Sequence, residues 1–135
     1  RQIAADGEGA ETLIEVLVDE ARNEAQARRV AKSIVNSPLV KTAIHGADPN
    51  WGRIAMAVGK VNDDDINQNN VIIRIGKEEL FPRQVSASEL KELSSYLQGD
   101  EVLIHVSLGI GSGTARAWGC DLTDGYVRIN ADYTT

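Results

Sequence analysis

The chain has 135 residues, 42% hydrophobic and 25% charged, which suits one ordinary packed domain and excludes wholesale disorder. A formal net charge of −6 argues against nucleic acid as the main partner, because phosphate binding needs clustered Lys and Arg. Cys120 is the sole cysteine, so no intramolecular disulfide and no cysteine-based zinc site is expected, in keeping with a reducing cytoplasm; no apolar run approaches the roughly 20 residues of a membrane helix.

In chain order, Asp6-Gly7-Glu8-Gly9 is a turn signal, and Leu13 to Asp19 alternates as a strand with Ile14, Val16 and Val18 on one face. Helical spacing follows from about Asn23 to Asn36, with Ala27, Val30, Ala31, Ile34 and Val35 as the apolar stripe. Asn23 is the expected N-cap, with Gln26 three residues on as in a capping box, and Ser37-Pro38 stops or bends the helix. Leu39 to Ile44 is short, apolar and ambiguous. Asn50 is placed to cap a second helix from Trp51 to Val58. Val61 to Asn70 reads as a solvated acidic loop and Val71 to Ile75 as a strand, with Gly76 to Glu79 turning it into Leu80-Phe81. Ser86 or Ser88 caps a helix presenting Leu90, Leu93 and Leu97.

Glu101 to Leu108 alternates, with Val102, Ile104, Val106 and Leu108 inward and His105 and Ser107 opposite. The glycines 109–113 then suggest a hairpin into a strand at Thr114 to Trp118. Tyr126 to Ile129 fits a strand or, slightly better, a short helix capped by Thr123 or Asp124. Strands in both hairpins and helix-separated units point to an α+β fold, layered helices against a mixed or antiparallel sheet, in a single domain over residues 1–135.

Several motifs invite chemistry and fall short of it. Gly109-x-Gly111-x-Gly113 lacks the Gly-Lys-Ser/Thr of a phosphate loop and the spacing of a dinucleotide turn. Asp63-Asp64-Asp65 with Asn67, Asn69 and Asn70 lacks the central Gly and terminal Glu of a calcium loop, so no metal site is expected. His45 and His105 read as surface or structural histidines, and Cys120 as a small packing residue. Trp51 reads as a helix-start anchor, while Arg53 could clamp a carboxylate or pin its loop. Glu8 stands apart: projecting from a glycine turn, its carboxylate could hold an ammonium group. The stretch 118–135, dense in aromatic, amide and hydroxyl groups, either docks as a last element or lines a ligand site.

Four of these stretches together resemble the ornithine acetyltransferases, or glutamate N-acetyltransferases, of arginine biosynthesis. They are Ala5-Asp6-Gly7-Glu8-Gly9-Ala10; Ser37-Pro38-Leu39-Val40-Lys41-Thr42-Ala43; Gly46-Ala47-Asp48-Pro49-Asn50-Trp51-Gly52-Arg53-Ile54; and the tail from Trp118-Gly119-Cys120-Asp121-Leu122 to Ile129-Asn130-Ala131-Asp132-Tyr133-Thr134-Thr135. The likeness runs in order over essentially the whole chain. It implies a precursor that cleaves itself before a threonine into α and β chains. The new N-terminal threonine attacks N-acetylornithine, releases ornithine and passes the acetyl group to glutamate; some members also accept acetyl-CoA.

By that resemblance these residues are the C-terminal domain of the β chain; the start at Arg1 rather than Met is what a processed product or a fragment would show. The Ala-Thr-Met-Leu cleavage stretch is absent, so no catalytic nucleophile is assigned in this chain, and the 135 residues alone are expected to be inactive. Glu8 matches the family's acidic substrate-binding residue, and Asn130 and Thr135 match its tail contacts to substrate. Expected partners are the α chain and the remainder of the β chain in an α2β2 assembly, with N-acetylornithine and glutamate as substrates. No cofactor is implied beyond acetyl-CoA as a co-substrate, and the setting is cytoplasmic, without membrane or nucleic acid. Where the family has Thr-Lys after the glycine turn, this chain has Glu11-Thr12, which adds a negative charge and removes a cation. The competing expectation is a non-catalytic amino-acid-binding or regulatory domain.

Overall fold

The computed structural model describes residues 12–121. Five strands, β1 (Leu13–Ala21), β2 (Ile72–Ile75), β3 (Glu78–Phe81), β4 (Glu101–Ser107) and β5 (Gly113–Cys120), form one sheet in the order β3-β2-β4-β1-β5. Four helices, α1 (Glu24–Val35), α2 (Pro38–His45), α3 (Trp51–Gly59) and α4 (Ala87–Leu97), complete the α+β architecture. β1 runs parallel to β4, and the other pairings are antiparallel.

The alternation in β1 and β4 divides the sheet into two faces, as a period of two requires. Ile14, Val16, Val18, Val102, Ile104 and Val106 are fully or almost fully buried and join the core with Ala27, Val30, Ala31 and Ile34 of α1. Helix α1 packs on β1 and β5, and α3 touches α1, α2 and β2. The opposite face carries Glu15, Leu17, Asp19, Arg74 and His105, all only partly buried, and the exposed Arg116. Trp118 is 47% exposed.

Local sequence sets most helix starts. The Asn23 side chain accepts from the Gln26 amide, Asn50 from that of Arg53, and Ser86 from that of Glu89. At Ser86 the capping box is complete, because Glu89 accepts in turn from the Ser86 amide. Gln26 does not close such a box; its Oε1 accepts from the Arg22 amide instead. Ser37-Pro38 ends α1 and begins α2: Ser37 accepts from the Val40 amide, and Pro38 sits in the first turn, where a missing N–H costs nothing. The ambiguous stretch Leu39 to Ile44 is therefore helix. In α4, Leu93 and Leu97 are buried, but Leu90 is not, at 38% exposed.

One expected pairing is overturned. β4 and β5 do not form a hairpin; they flank β1 on opposite sides. The glycine-rich link crosses the end of β1, where the Ile110 and Gly111 amides both donate to the Glu20 carbonyl. A Cβ on Gly111 would lie 2.7 Å from the Ala21 carbonyl oxygen, and one on Gly113 would lie 2.3 Å from the Asn23 carbonyl carbon. These glycines serve backbone-on-backbone packing and not a phosphate cradle.

Candidate functional site

The first residue of β1 pairs with the last of β5, Leu13 with Cys120, so the chain enters and leaves the sheet at one place. Just outside that pair, the Thr12 amide donates to Asp121 Oδ1 at 2.8 Å, and the Asp121 amide donates to the Thr12 carbonyl at 3.1 Å. The Thr12 hydroxyl donates to the Gly99 carbonyl at 3.1 Å, which ties the clasp to the turn before β4.

Helix α2 supplies the other side. His45 Nδ1 lies 3.0 Å from Asp121 Oδ2, so both oxygens of a carboxylate whose residue is 2% exposed are engaged. Lys41, four residues before His45 and so on the same helical face, is 8% exposed. Burial pushes the Lys41 ammonium below the ordinary lysine range, and the charges of Cys120 and Asp121 counter that only in part. The helix is held by its Ser37 cap and by Arg53, whose Nη1 donates to the Leu39 carbonyl at 3.0 Å. Arg53 thus pins its loop. Trp51 begins α3 and stacks on Phe81, with ring centroids 4.7 Å apart.

The three expected substrate residues, Glu8, Asn130 and Thr135, lie outside the described residues. The segments that carry them adjoin Thr12 and Asp121, the two halves of the clasp. Sequence reasoning missed the convergence of Lys41, His45 and Asp121. Its one signal was a lone cation inside the apolar run from Leu39 to Ile44, placed i, i+4 from a histidine.

Two other polar groupings resolve as structural. On the open sheet face Asp19 accepts from Ser107 Oγ at 2.5 Å and lies 2.8 Å from His105 Nε2, while Arg74 donates to Ser107 at 3.0 Å. Burial opposes charge on Asp19, but the bonds to Ser107 and His105 outweigh it and hold its carboxyl below the usual range. The serine donates to the carboxylate and not to the histidine, so this is no nucleophile–base pair. In the acidic loop, Asp63 is bound by Gln26, Arg22 and Arg29 and is not simply solvated. Among the described residues, no group of three or more His, Cys, Asp or Glu side chains could hold a metal ion, and no helix is long and apolar enough to cross a membrane.

The sequence profile of the ArgJ family matches residues 1–135. The chain is 57% identical over 135 residues to the arginine biosynthesis bifunctional protein ArgJ 2 of Nostoc sp., covering 99% of this chain and 35% of that protein. It is 53% identical over 141 residues to the glutamate N-acetyltransferase Oat2 of Streptomyces clavuligerus, covering all of this chain and 36% of the relative. The crystal structure of the arginine biosynthesis bifunctional protein argJ from Bacillus halodurans superposes with a TM-score of 0.79 at 51% identity, over 96% of this chain and 62% of that one. The chain thus spans about a third of the length of these two curated relatives.

Proposed function

Because this chain belongs to the ArgJ family, we propose that it is the substrate-holding C-terminal part of a glutamate N-acetyltransferase of arginine biosynthesis. In this reading a threonine outside these residues attacks the acetyl carbonyl of N-acetylornithine. The tetrahedral adduct collapses as the ornithine nitrogen leaves with a proton. The glutamate amine then attacks the threonyl ester and regenerates the hydroxyl. Acetyl-CoA is a further candidate donor to the same threonine. The remaining polypeptide supplies the nucleophile and the oxyanion donors, in a cytoplasmic α2β2 assembly of α and β chains.

The residues of this chain bind and orient. Glu8 pairs with the ornithine ammonium, and Asn130 and Thr135 hydrogen-bond the amino-acid end of the substrate. The observation that supports this assignment is the Thr12–Asp121 clasp. It brings together residues 12 and 121, from which the stretch carrying Glu8 and the stretch carrying Asn130 and Thr135 continue in the sequence.

The test is Glu8→Ala and Glu8→Gln in the full-length polypeptide. Loss of a charge-assisted contact should lower kcat/KM for N-acetylornithine by about 10- to 100-fold with the melting temperature unchanged. Wild-type kcat/KM in both variants removes Glu8 from the site.

A further inference from the structure

We propose that the outer edge of β5 is the surface through which two copies of this chain join, antiparallel and edge to edge, into one continuous sheet. The inference goes beyond acetyl transfer and stands whether or not that reading holds.

The two edges of the sheet are unlike. β3 has four residues, a register shift against β2 and Pro82 directly after it, all of which blunt an edge. β5 has eight residues, and Ala115 and the residues from Arg116 to Cys120 follow β1 in unbroken register. It holds no proline and no lysine, and its one charged side chain, Arg116, is tied to Glu15. Among the described residues, β1 is its only strand partner. A long, regular edge of this kind is a template for another strand.

The ladder fixes which groups lie on that edge. The Leu13 amide donates to the Asp100 carbonyl, and the Leu108 amide donates to the Asp19 carbonyl, so the odd-numbered residues of β1 turn their main chain towards β4. The even-numbered residues turn theirs towards β5, on the same side as the Thr12 carbonyl that accepts from the Asp121 amide. By register, Ala115, Ala117 and Gly119 bond to β1, and the main-chain groups of Thr114, Arg116 and Trp118 point outward.

A second copy placed about a two-fold axis at Ala117 meets these groups. Arg116 of each copy then lies opposite Trp118 of the other in a hydrogen-bonded pair. On the open face a guanidinium already neutralised by Glu15 meets an exposed indole, a cation–π contact made twice. An axis at Arg116 would oppose like charges, and one at Trp118 would leave Arg116 without the indole. On the helix side, Ala115, Ala117 and Gly119 present nothing larger than a methyl group to the incoming strand.

The test is the mass of the full-length polypeptide by analytical ultracentrifugation. Trp118→Lys sets a cation against Arg116 of the other copy and should halve the mass. Trp118→Glu sets an anion there and should keep it. An unchanged mass with Trp118→Lys, or dissociation by Trp118→Glu as well, overturns the proposal.

A cross-link decides alone if Trp118→Lys does not fold. With Cys120→Ala as background, Ala117→Cys on the axis should give a disulfide-linked dimer, because such pairs stand about 4.5 Å apart at Cα. Ala115→Cys should not, since its equivalent lies four residues along the strand, about 14 Å away. No dimer with Ala117→Cys overturns the proposal. If β5 is instead covered by a strand from elsewhere in its own polypeptide, neither the mass nor the cross-link responds, and the proposal falls.

Discussion

Gln26, wholly buried on α1, donates its side-chain amide to Asp63 at 2.9 Å across 37 residues of sequence. Its carbonyl oxygen accepts from the Arg22 amide at 2.7 Å, so one side chain satisfies the entry to α1 and pins the loop that follows α3. Asp63 also accepts from Arg29 at 3.0 Å and from the Asp65 amide at 3.1 Å.

These bonds predict an acid sensitivity. The Gln26 bond first, then the Asp65 amide and Arg22, lower the Asp63 pKa from an ordinary 3.8 to about 2. A depressed folded-state pKa gives stability that is complete above the unfolded value and is lost as pH falls through the folded one. The window is therefore about pH 4 down to about pH 2. Urea midpoints of wild type and Asp63→Asn should converge across that window. A midpoint difference that stays constant from pH 5 to pH 2 counts against the Asp63 hub.

Glycines 113 and 59 should respond to alanine in opposite ways. At Gly113 the new Cβ falls 2.3 Å from the Asn23 backbone, which cannot yield as a flexible side chain would, and the cost should reach about 3 kcal/mol, the upper end of overpacking. At Gly59, the exposed last residue of α3, a Cβ meets nothing within 4 Å, and replacing glycine in a helix should gain about 0.5–1 kcal/mol. Thermal unfolding of the two variants gives the sign directly.

Asn50→Ala removes the cap of α3 and the 3.2 Å bond to Asp48, and should cost about 1 kcal/mol. Asn50→Asp retains an acceptor for the Arg53 amide and should recover most of that loss. Equal destabilisation by both changes, measured by chemical denaturation, would show that the cap is not the relevant bond.

What the amino-acid order reveals and conceals follows from the range of each interaction. The caps at Asn23, Asn50 and Ser86 act within three residues and are legible as short motifs, and so is the alternation of β4. The partner of β5 is not. A glycine-rich link between two strands suggests a hairpin, and only the packing of Gly111 and Gly113 over residues 21–23 shows why the strand crosses to the far side of β1. Asp63 is hidden for another reason: it sits among two identical neighbours, and its importance lies in Gln26 and Arg29, more than thirty residues away. At the candidate site, family resemblance marked Glu8, Asn130 and Thr135, all outside the described residues. The enclosed charges of Lys41 and Asp121 emerge only when α2 is folded against the end of β5.

The position of β1 between β4 and β5 has a consequence for biosynthesis. β1 leaves the ribosome well before its partners, which begin at Glu101 and Gly113, about 90 to 100 residues after Leu13. At roughly 5–20 residues per second, the strand waits on the order of 5–20 s with both backbone edges open. Helices α1 to α3 can shelter its apolar face in that interval, because they precede β2, but they cannot pair its amides. Nascent chains stalled near Gln98 should therefore recruit chaperones that recognise extended apolar segments, and chains stalled beyond residue 121, once that residue has cleared the exit tunnel, should not.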